Sequence, residues 1–541
     1  MAASLMAVGG FADGVAKGPS GAATYCHQQS CHQRSRPRTI PPMRPLALVI
    51  SLALALSALA QNVVDTKAVD RVMLATMRAW QIPGAAVAIV KNDRVVYVAA
   101  YGVKDLSTHQ PVTVDTLFQL ASTSKAFTTA SLAMLASDGK LSFDDPVRRY
   151  LEYFRLSDPC ADQMVTIRDI VSHRTGLSRH DELWDNTPLT REQVIRAMGD
   201  VALTKPFRTS YQYQNIMFIT AGEVVAHASG MSWDDFVRTR IFTPLQMTRT
   251  VTSDADWNAS DHATGYHYDW KKDRITAQRP IDTTAIGAGG AIKSSARDMG
   301  NWVRFQLADG MFNGVQLLDP AMLTETKIPN TVIRLENLTR DTHPETNLLA
   351  YAMGWNVQDY RGELLVSHSG ALNGFRTHVD LLPRRQSGFV ILSNLGRGMA
   401  LVALRNALAD MLTLKPPRDW NAYYLMVDRK ADEKEEKAKQ DRKAQRQPNT
   451  QPTRPLDAYI GTYSNKAYGD VKITRATDQL VLEWNRLLIP LAHFHFDTFT
   501  AESETDEVDE EVVFDLSKDG DVQSLTFFGE TFQRSAPPSH P

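Results

Sequence analysis

Ser122-Thr123-Ser124-Lys125 places a hydroxyl and an amine three residues apart at the head of an apolar run in which Lys125 is the only charge between Ser122 and Ser137. Gly139 follows as a C-terminal cap, so the run reads as one helix, and an apolar helix carrying a single charge is a buried helix. At that spacing Ser122 and Lys125 share a face, with Ser122 where backbone N–H groups are unpaired and negative charge is favoured. Burial lowers the pKa of an amine, and a neutral Lys125 can take the serine proton, which is nucleophilic catalysis. Serine is also a common N-cap, and the same S-x-x-K spacing recurs at Ser137-Asp138-Gly139-Lys140, where it spans a helix end and lacks the buried setting.

Other residues with chemical potential rank lower. Cys160 is left without a partner once the N-terminal segment is set aside, and a lone cysteine reads first as a packing residue. His493 and His495 stand on one face of a strand-like piece, but two ligands do not make a metal site. No HExxH, phosphate loop, G-x-S-x-G elbow or well-placed GxGxxG appears, so metalloprotease and nucleotide-binding classes have no support. No cofactor and no metal are implied.

Phe118-Gln119-Leu120-Ala121-Ser122-Thr123-Ser124-Lys125 resembles the active-site segment of the serine β-lactamase and penicillin-binding-protein superfamily. Later segments agree in order: Val165 to Leu177, containing Ser172-His173-Arg174-Thr175-Gly176-Leu177, and Gly289 to Met299 are similar to stretches of its class C-like hydrolases. The resemblance covers roughly residues 65–415. It implies that Tyr213-Gln214-Asn215 is the Y-x-N motif, with Tyr213 catalytic beside Ser122 and Lys125 and Asn215 toward substrate; Tyr463-Ser464-Asn465 has the same pattern but lies far downstream. It further implies that His368-Ser369-Gly370 stands for the K-T-G motif, as in esterase- and peptidase-type members, and that the N–H groups of Ser122 and Ala371 form an oxyanion hole. His368, Ser369, Gly370 and Ala371 are then substrate-side residues. A mostly neutral imidazole in place of a fixed ammonium favours neutral acyl groups over carboxylate-bearing β-lactams.

The elements that must position these residues follow from patterning. Gly84–Val90 and Val95–Ala100 are β-rich runs around a polar turn, a hairpin; Ser122 to about Thr250 reads mostly as helices and loops; β-like runs return at Leu364–His368, Phe375–Leu382 and Gly388–Asn394. Strands from both ends make one antiparallel sheet, so residues 61–415 read as an α/β, β-lactamase-like unit: a sheet flanked by helices plus a mainly helical region. Residues 416–455 are charged and then proline-rich, a linker. Residues 456–541, with short runs such as Leu480–Trp484 and Val512–Leu516, read as a small all-β accessory domain. The charged stretch predicts that residues 61–415 retain catalysis without it.

In residues 1–60, Arg44 precedes an apolar run from Leu46 to Ala60 that is shorter than the ~18 residues a spanning helix needs and ends in Ala58-Leu59-Ala60. This reads as a signal peptide, with a single-pass anchor as the rival; Met43 stands where such a peptide would begin, so the start is Met1 or Met43. Its removal takes five basic residues and one acidic one from a chain of net charge −2, leaving −6. That balance makes no case for nucleic acid or an acidic membrane surface. The expectation is an exported, periplasmic or secreted serine hydrolase acting on a small-molecule or peptide substrate, through an acyl-enzyme on an ester, amide or D-amino-acid peptide bond, with no integral membrane span. The alternatives are a penicillin-binding or ligand-sensing module with little turnover, and a true β-lactamase.

Overall fold

A computed structural model describes residues 64–185, 187–503 and 508–535; the N-terminal segment read as a signal peptide lies outside them. Eight strands form one antiparallel sheet: β1 Gly84–Lys91, β2 Arg94–Gly102, β3 Thr331–Val332, β4 Leu349–Tyr351, β5 Asn356–Tyr360, β6 Glu363–Leu372, β7 Phe375–Leu382 and β8 Ser387–Ser393, in the order β2-β1-β8-β7-β6-β5-β4-β3. β1 and β8 are apolar and covered on both faces, which is why they read as continuous hydrophobic runs rather than alternating ones. Their pairing, Ala85 with Ser393 through Lys91 with Ser387, ties the first hairpin to the last strand. The patterning did not reveal β3–β5: two are only two and three residues long, and β5 (Asn-Val-Gln-Asp-Tyr) is too polar to stand out.

Helices cover both faces. On one side α1 (Thr66–Trp80) sets Val69, Met73 and Trp80 against Ala85, Val87 and Ile89. On the other lie α2 (Lys125–Ser137), α3 (Ile216–Ser229) and α4 (Ala296–Leu307), whose Trp302 stacks on Phe127 at 3.7 Å. α5 (Gly398–Thr413) joins α1 on the first face. The charged stretch read as a linker opens with α6 (Trp420–Ala444), whose first turns belong to the body: Trp420, Tyr424 and Val427 are buried, and Trp420 Nε1 donates to Asp410 Oδ2 at 2.8 Å. Its later turns are tied to the body by ion pairs of Arg397 with Asp428 and Asp432 and of Lys271 with Glu436, and near its end Arg442 reaches Asp509.

Beyond α6 the chain closes an eight-stranded antiparallel barrel, β9 Gly461–Asn465, β10 Gly469–Ala476, β11 Gln479–Trp484, β12 Leu487–His495, β13 Thr498–Ser503, β14 Val508–Leu516, β15 Val522–Phe527 and β16 Glu530–Arg534, with β9 pairing to β16 at Tyr463–Arg534. Closure removes the sheet edges, and alternate residues such as Leu480, Leu482 and Trp484 fill the inside. Glu502 and Asp509–Glu511 belong to strands β13 and β14. Among the described residues no helix is long and apolar enough to cross a membrane.

Candidate active site

Ser122 heads α2 in a tight 3-10 turn, Ala121–Ser124. Ala121 takes a left-handed backbone, φ 49°, which turns the chain sharply just before the serine. The turn is pinned on two sides: Leu120 N–H donates to Ile292 O at 2.9 Å, and Thr377 on β7 donates its hydroxyl to Leu120 O at 2.9 Å. β6 passes so close that a Cβ on Gly370 would lie 2.0 Å from the same Leu120 oxygen. Gly370 therefore lets the strand approach the serine turn rather than a substrate. β6 is also an interior strand, paired on both sides by β5 and β7.

Lys125 is fully buried, as its apolar helix predicted. Its Nζ lies 2.7 Å from Asn215 Oδ1, 2.7 Å from Gly289 O and 3.1 Å from Ser122 Oγ. Burial drives its pKa well below the ordinary lysine value; Asp181 opposes the shift and Arg179 adds to it. A neutral amine has two N–H bonds and one lone pair. The two fixed acceptors take the N–H bonds, which leaves the lone pair for the Ser122 hydroxyl. Asn215 is held in turn, since its Nδ2 donates to Asp181 Oδ1 at 2.8 Å, and the same oxygen accepts from Trp184 Nε1 at 2.7 Å.

Tyr213 lies in the same cluster beside Ser122; burial pushes its pKa well up, with Ser122 and Arg179 pulling it down. Lys125 Nζ and the Arg179 guanidinium stand 5.0 and 5.4 Å from the ring centroid, so negative charge arising on the phenol oxygen meets two basic groups. Ser122 and Lys125 thus meet Tyr213 and Asn215 from two segments of chain. Arg179, Asp181 and the Gly289 carbonyl complete the cluster. Sequence reasoning passed over Arg179 and Asp181 because they sit in a loop without periodicity; Gly289 was quoted only as part of a resemblance.

The third motif is placed differently from a row of substrate contacts. Strand alternation puts His368 on the inner face, where it is buried, accepts or donates at Nε2 with Tyr351 OH at 2.9 Å, and sets Nδ1 2.7 Å from Ser369 O. Desolvation, with Lys125 nearby, pushes its pKa down to about 3, so the imidazole is neutral; its ring backs Tyr213 at 6.4 Å and does not line the cleft. Ser369 points to the opposite face, exposed, toward a cavity of about 380 Å³ shared with His378 and Arg405. Ala371 does border the serine.

The cleft measures about 200 Å³ and is lined by Ser122, Arg179, Asp181, Asn215, Ala371 and Arg376 among others. The barrel reaches its wall. Tyr468, following β9, sets its hydroxyl 2.5 Å from His180 Nδ1, next to Arg179 and Asp181, with Glu530 of β16 3.9 Å from the same nitrogen. Tyr463, the second match to Y-x-N, is buried inside the barrel with its hydroxyl on Tyr459 O. Cys160 is exposed on a short helix rather than packed, because its neighbour Ala161 takes the inward position. A bulge separates His493 from His495, and their ring nitrogens meet Phe496 O and Gln447 N–H; among the described residues no group of three His, Cys, Asp or Glu side chains is placed to hold a metal.

Comparisons with known proteins match this geometry to a family. The Beta-lactamase family model covers residues 69–412, and a second model, Domain of unknown function (DUF3471), covers residues 445–536. The Unguisins hydrolase ungD' of Aspergillus campestris is 31% identical over 422 residues, spanning 74% of this chain and 76% of that protein. Protein flp of Staphylococcus aureus is 24% identical over 331 residues, 60% and 62% of the two chains. Among solved structures, the octameric penicillin-binding protein homologue from Pyrococcus abyssi superposes with a TM-score of 0.58 at 19% identity, over 87% of this chain and 99% of that one. SurE does so with a TM-score of 0.52 at 19% identity, over 88% and 99%. These two share the fold, barrel included in the span, while the family model and the 31% identical relative settle descent: the chain belongs to the beta-lactamase family and is a serine hydrolase in kind.

Proposed function

We propose that the chain hydrolyses an ester, amide or D-amino-acid peptide bond through an acyl-enzyme on Ser122, with Lys125 as its base. The observation that carries this reading is the buried Lys125 amine, 3.1 Å from Ser122 Oγ, with acceptors for both of its N–H bonds. Ser122 Oγ attacks the acyl carbon as its proton passes to Lys125 Nζ. The resulting oxyanion is met by the N–H groups of Ser122 and Ala371, a pair of donors at the mouth of the cleft. Tyr213, beside Ser122 and flanked by Lys125 and Arg179, passes a proton to the leaving group, and water then releases the acyl group with the roles of base and acid reversed.

Two relatives named as unguisins hydrolases support turnover over a module that only acylates. His368, neutral and outside the cleft, supplies no fixed positive charge there, whereas Arg179 and Arg376 line it. Export follows from the Arg44 to Ala60 segment, and the substrate is then met outside the cytoplasm.

The test is a panel of p-nitrophenyl esters, a chromogenic cephalosporin and D-amino-acid amides, run with the mature protein, Ser122→Ala and Lys125→Met. Turnover is expected on at least one neutral ester or amide, and both variants should lose on the order of 10⁴-fold or more in kcat. A fluorophosphonate should attach to Ser122 alone. Peptide mapping that finds the adduct on another serine overturns the assignment, and stoichiometric labelling without turnover moves the chain to the penicillin-binding reading.

A further inference from the structure

Tyr213 must hold its hydroxyl on Ser122, yet its own backbone lies in a loop ahead of α3 rather than in a helix or strand. What fixes it is His173. That residue takes a left-handed backbone, φ 57°, which turns its carbonyl and its side chain toward the same stretch of chain. Gln212 N–H donates to His173 O at 2.9 Å, and Gln214 N–H donates to His173 Nδ1 at 3.1 Å. The two bonds bracket Tyr213 from either side along the backbone. Between them the imidazole lies against the phenol ring, centroids 4.4 Å apart and tilted by 39°.

An Nδ1 that accepts leaves the proton on Nε2. Nε2 is buried and has no hydrogen-bond partner among the described residues. Around the imidazole are the rings of Tyr351, Phe218 and Tyr211, with centroids 4.5, 5.3 and 5.8 Å from its own. Leaving a buried donor unpaired is unfavourable, so a packing residue at this place would be better apolar. Only the Nδ1 bond explains why an imidazole stands here. Burial, with the basic groups of Lys125, His368 and Arg179 nearby, holds the ring neutral, which the acceptor role requires.

We propose that His173 is a positioning residue that sets the Tyr213 hydroxyl against Ser122 and thereby governs the rate of proton transfer rather than substrate affinity. The proposal rests on the reading of Tyr213 as a proton-transfer group. A positioned acid or base contributes typically 10²–10⁴-fold, so a misplaced one forfeits about ten- to a hundredfold.

The experiment compares His173→Phe, which keeps a ring but has no acceptor, with His173→Asn, whose Oδ1 falls near Nδ1 and whose backbone tolerates positive φ. Each is measured alone and in a Tyr213→Phe background, by kcat, KM and the rate of fluorophosphonate acylation. His173→Phe is expected to lower kcat about ten- to a hundredfold with KM within about threefold, while His173→Asn stays within about fivefold of the parent. In the Tyr213→Phe background the His173→Phe change should add less than about twofold to the loss, because the group it positions is gone. An unchanged kcat in His173→Phe, equal losses in the two variants, or an undiminished loss in the Tyr213→Phe background each overturns the proposal. If His173→Phe lacks a cooperative melting transition, His173→Gln takes its place in the same cycle, since it keeps volume and polarity with the acceptor one bond too far out. A Tyr213→Phe protein that retains full activity instead sinks the role given to Tyr213, a result that the cycle reads separately.

Discussion

The body and the barrel solve the problem of a filled interior in opposite ways. In the body, buried positions near the cleft hold Lys125, Asn215, His173, His368 and Asp169, and each polar atom is met by a partner within the cluster or leaves a stated gap. In the barrel the interior is aromatic and aliphatic: Tyr459, Phe499 and Phe514 meet edge to face at 4.9 to 5.7 Å, and the polar tips of Tyr463 and Trp484 are answered by carbonyls inside the barrel. A polar interior can shift pKa values and move protons; an apolar one can only hold shape. The barrel therefore meets the cleft wall at its rim, through Tyr468 and Glu530, and not from its core.

The largest difference in stability should appear between charges buried in the body and charges paired on the barrel. Asp169 is wholly buried and takes bonds from Arg174 Nε at 2.6 Å, Arg208 at 2.7 and 2.9 Å and the Thr166 N–H at 2.9 Å. Burial alone would raise its pKa, but Arg208, Thr166 and Arg174 outweigh burial and hold it below the usual range. Asp169→Asn strands two guanidinium groups and should cost about 3 kcal/mol, read as a lower urea midpoint at pH 7. Because the folded pKa is depressed, this contribution is fully present above the unfolded value of about 3.9 and is lost as pH falls through the folded one. Wild type and variant should begin to converge as pH falls below about 4 and meet only once it has passed the folded pKa. On the barrel, Asp457→Asn, which breaks the exposed pair with Arg475, should leave the midpoint where it was. Equal shifts at the two sites would erase the contrast.

The contrast also governs what was legible from residue order. Lys125 stands out because a single charge in an apolar helix is rare, whereas Tyr213 and Asn215 were legible only through the resemblance to a Y-x-N motif; the structure brings Ser122, Lys125 and Asn215 within bonding distance. Hydrophobic period located β1, β6, β7 and β8, all long or covered on both faces. What escaped were features that depend on which face a strand residue takes or on loop contacts far apart in sequence. His368 and Ser369 are adjacent in the chain yet lie on opposite faces of β6. Asp181 reaches Asn215 across 34 positions, and Tyr468 reaches His180 across 288. The apolar docking of Trp420, Tyr424 and Val427 was masked by the charged residues that follow them.

Removal of residues 445–541 should therefore lower kcat/KM about tenfold while leaving Ser122 reactive toward a fluorophosphonate. The groups that activate Ser122 all belong to the body, so the chemistry survives; the cleft wall loses its outer support, so substrate placement suffers. The ion pairs Lys466–Asp200 and Arg486–Asp282 that also join the two parts are partly exposed and add little to this loss. A truncated, folded protein that no longer labels at Ser122 would show that the barrel helps to build the nucleophile itself. One with undiminished kcat/KM would show that its rim has no part in the reaction.

The smallest effect belongs to Tyr468→Phe, which removes one hydroxyl and keeps the ring. His180 Nδ1 then loses its partner at 2.5 Å, while Nε2 keeps Ser178 Oγ at 2.7 Å. An unpaired buried acceptor costs about 1–3 kcal/mol, enough to loosen the Ser178–Asp185 loop if nothing else held it. Two bonds from the rest of the body do hold it: Asn215 donates to Asp181, and Gln214 donates to Ser178 O, while Trp184 braces Asp181 from within the loop. With these ties kept and one lost, Asp181 stays on Asn215, and Lys125 keeps its acceptor. The expected result is a KM about three times higher on a substrate long enough to touch Arg179, with kcat and the smallest esters unaffected. A fall in kcat equal to that of the truncated protein would mean that this one hydroxyl, rather than the cleft wall as a whole, transmits the barrel's influence to the catalytic lysine.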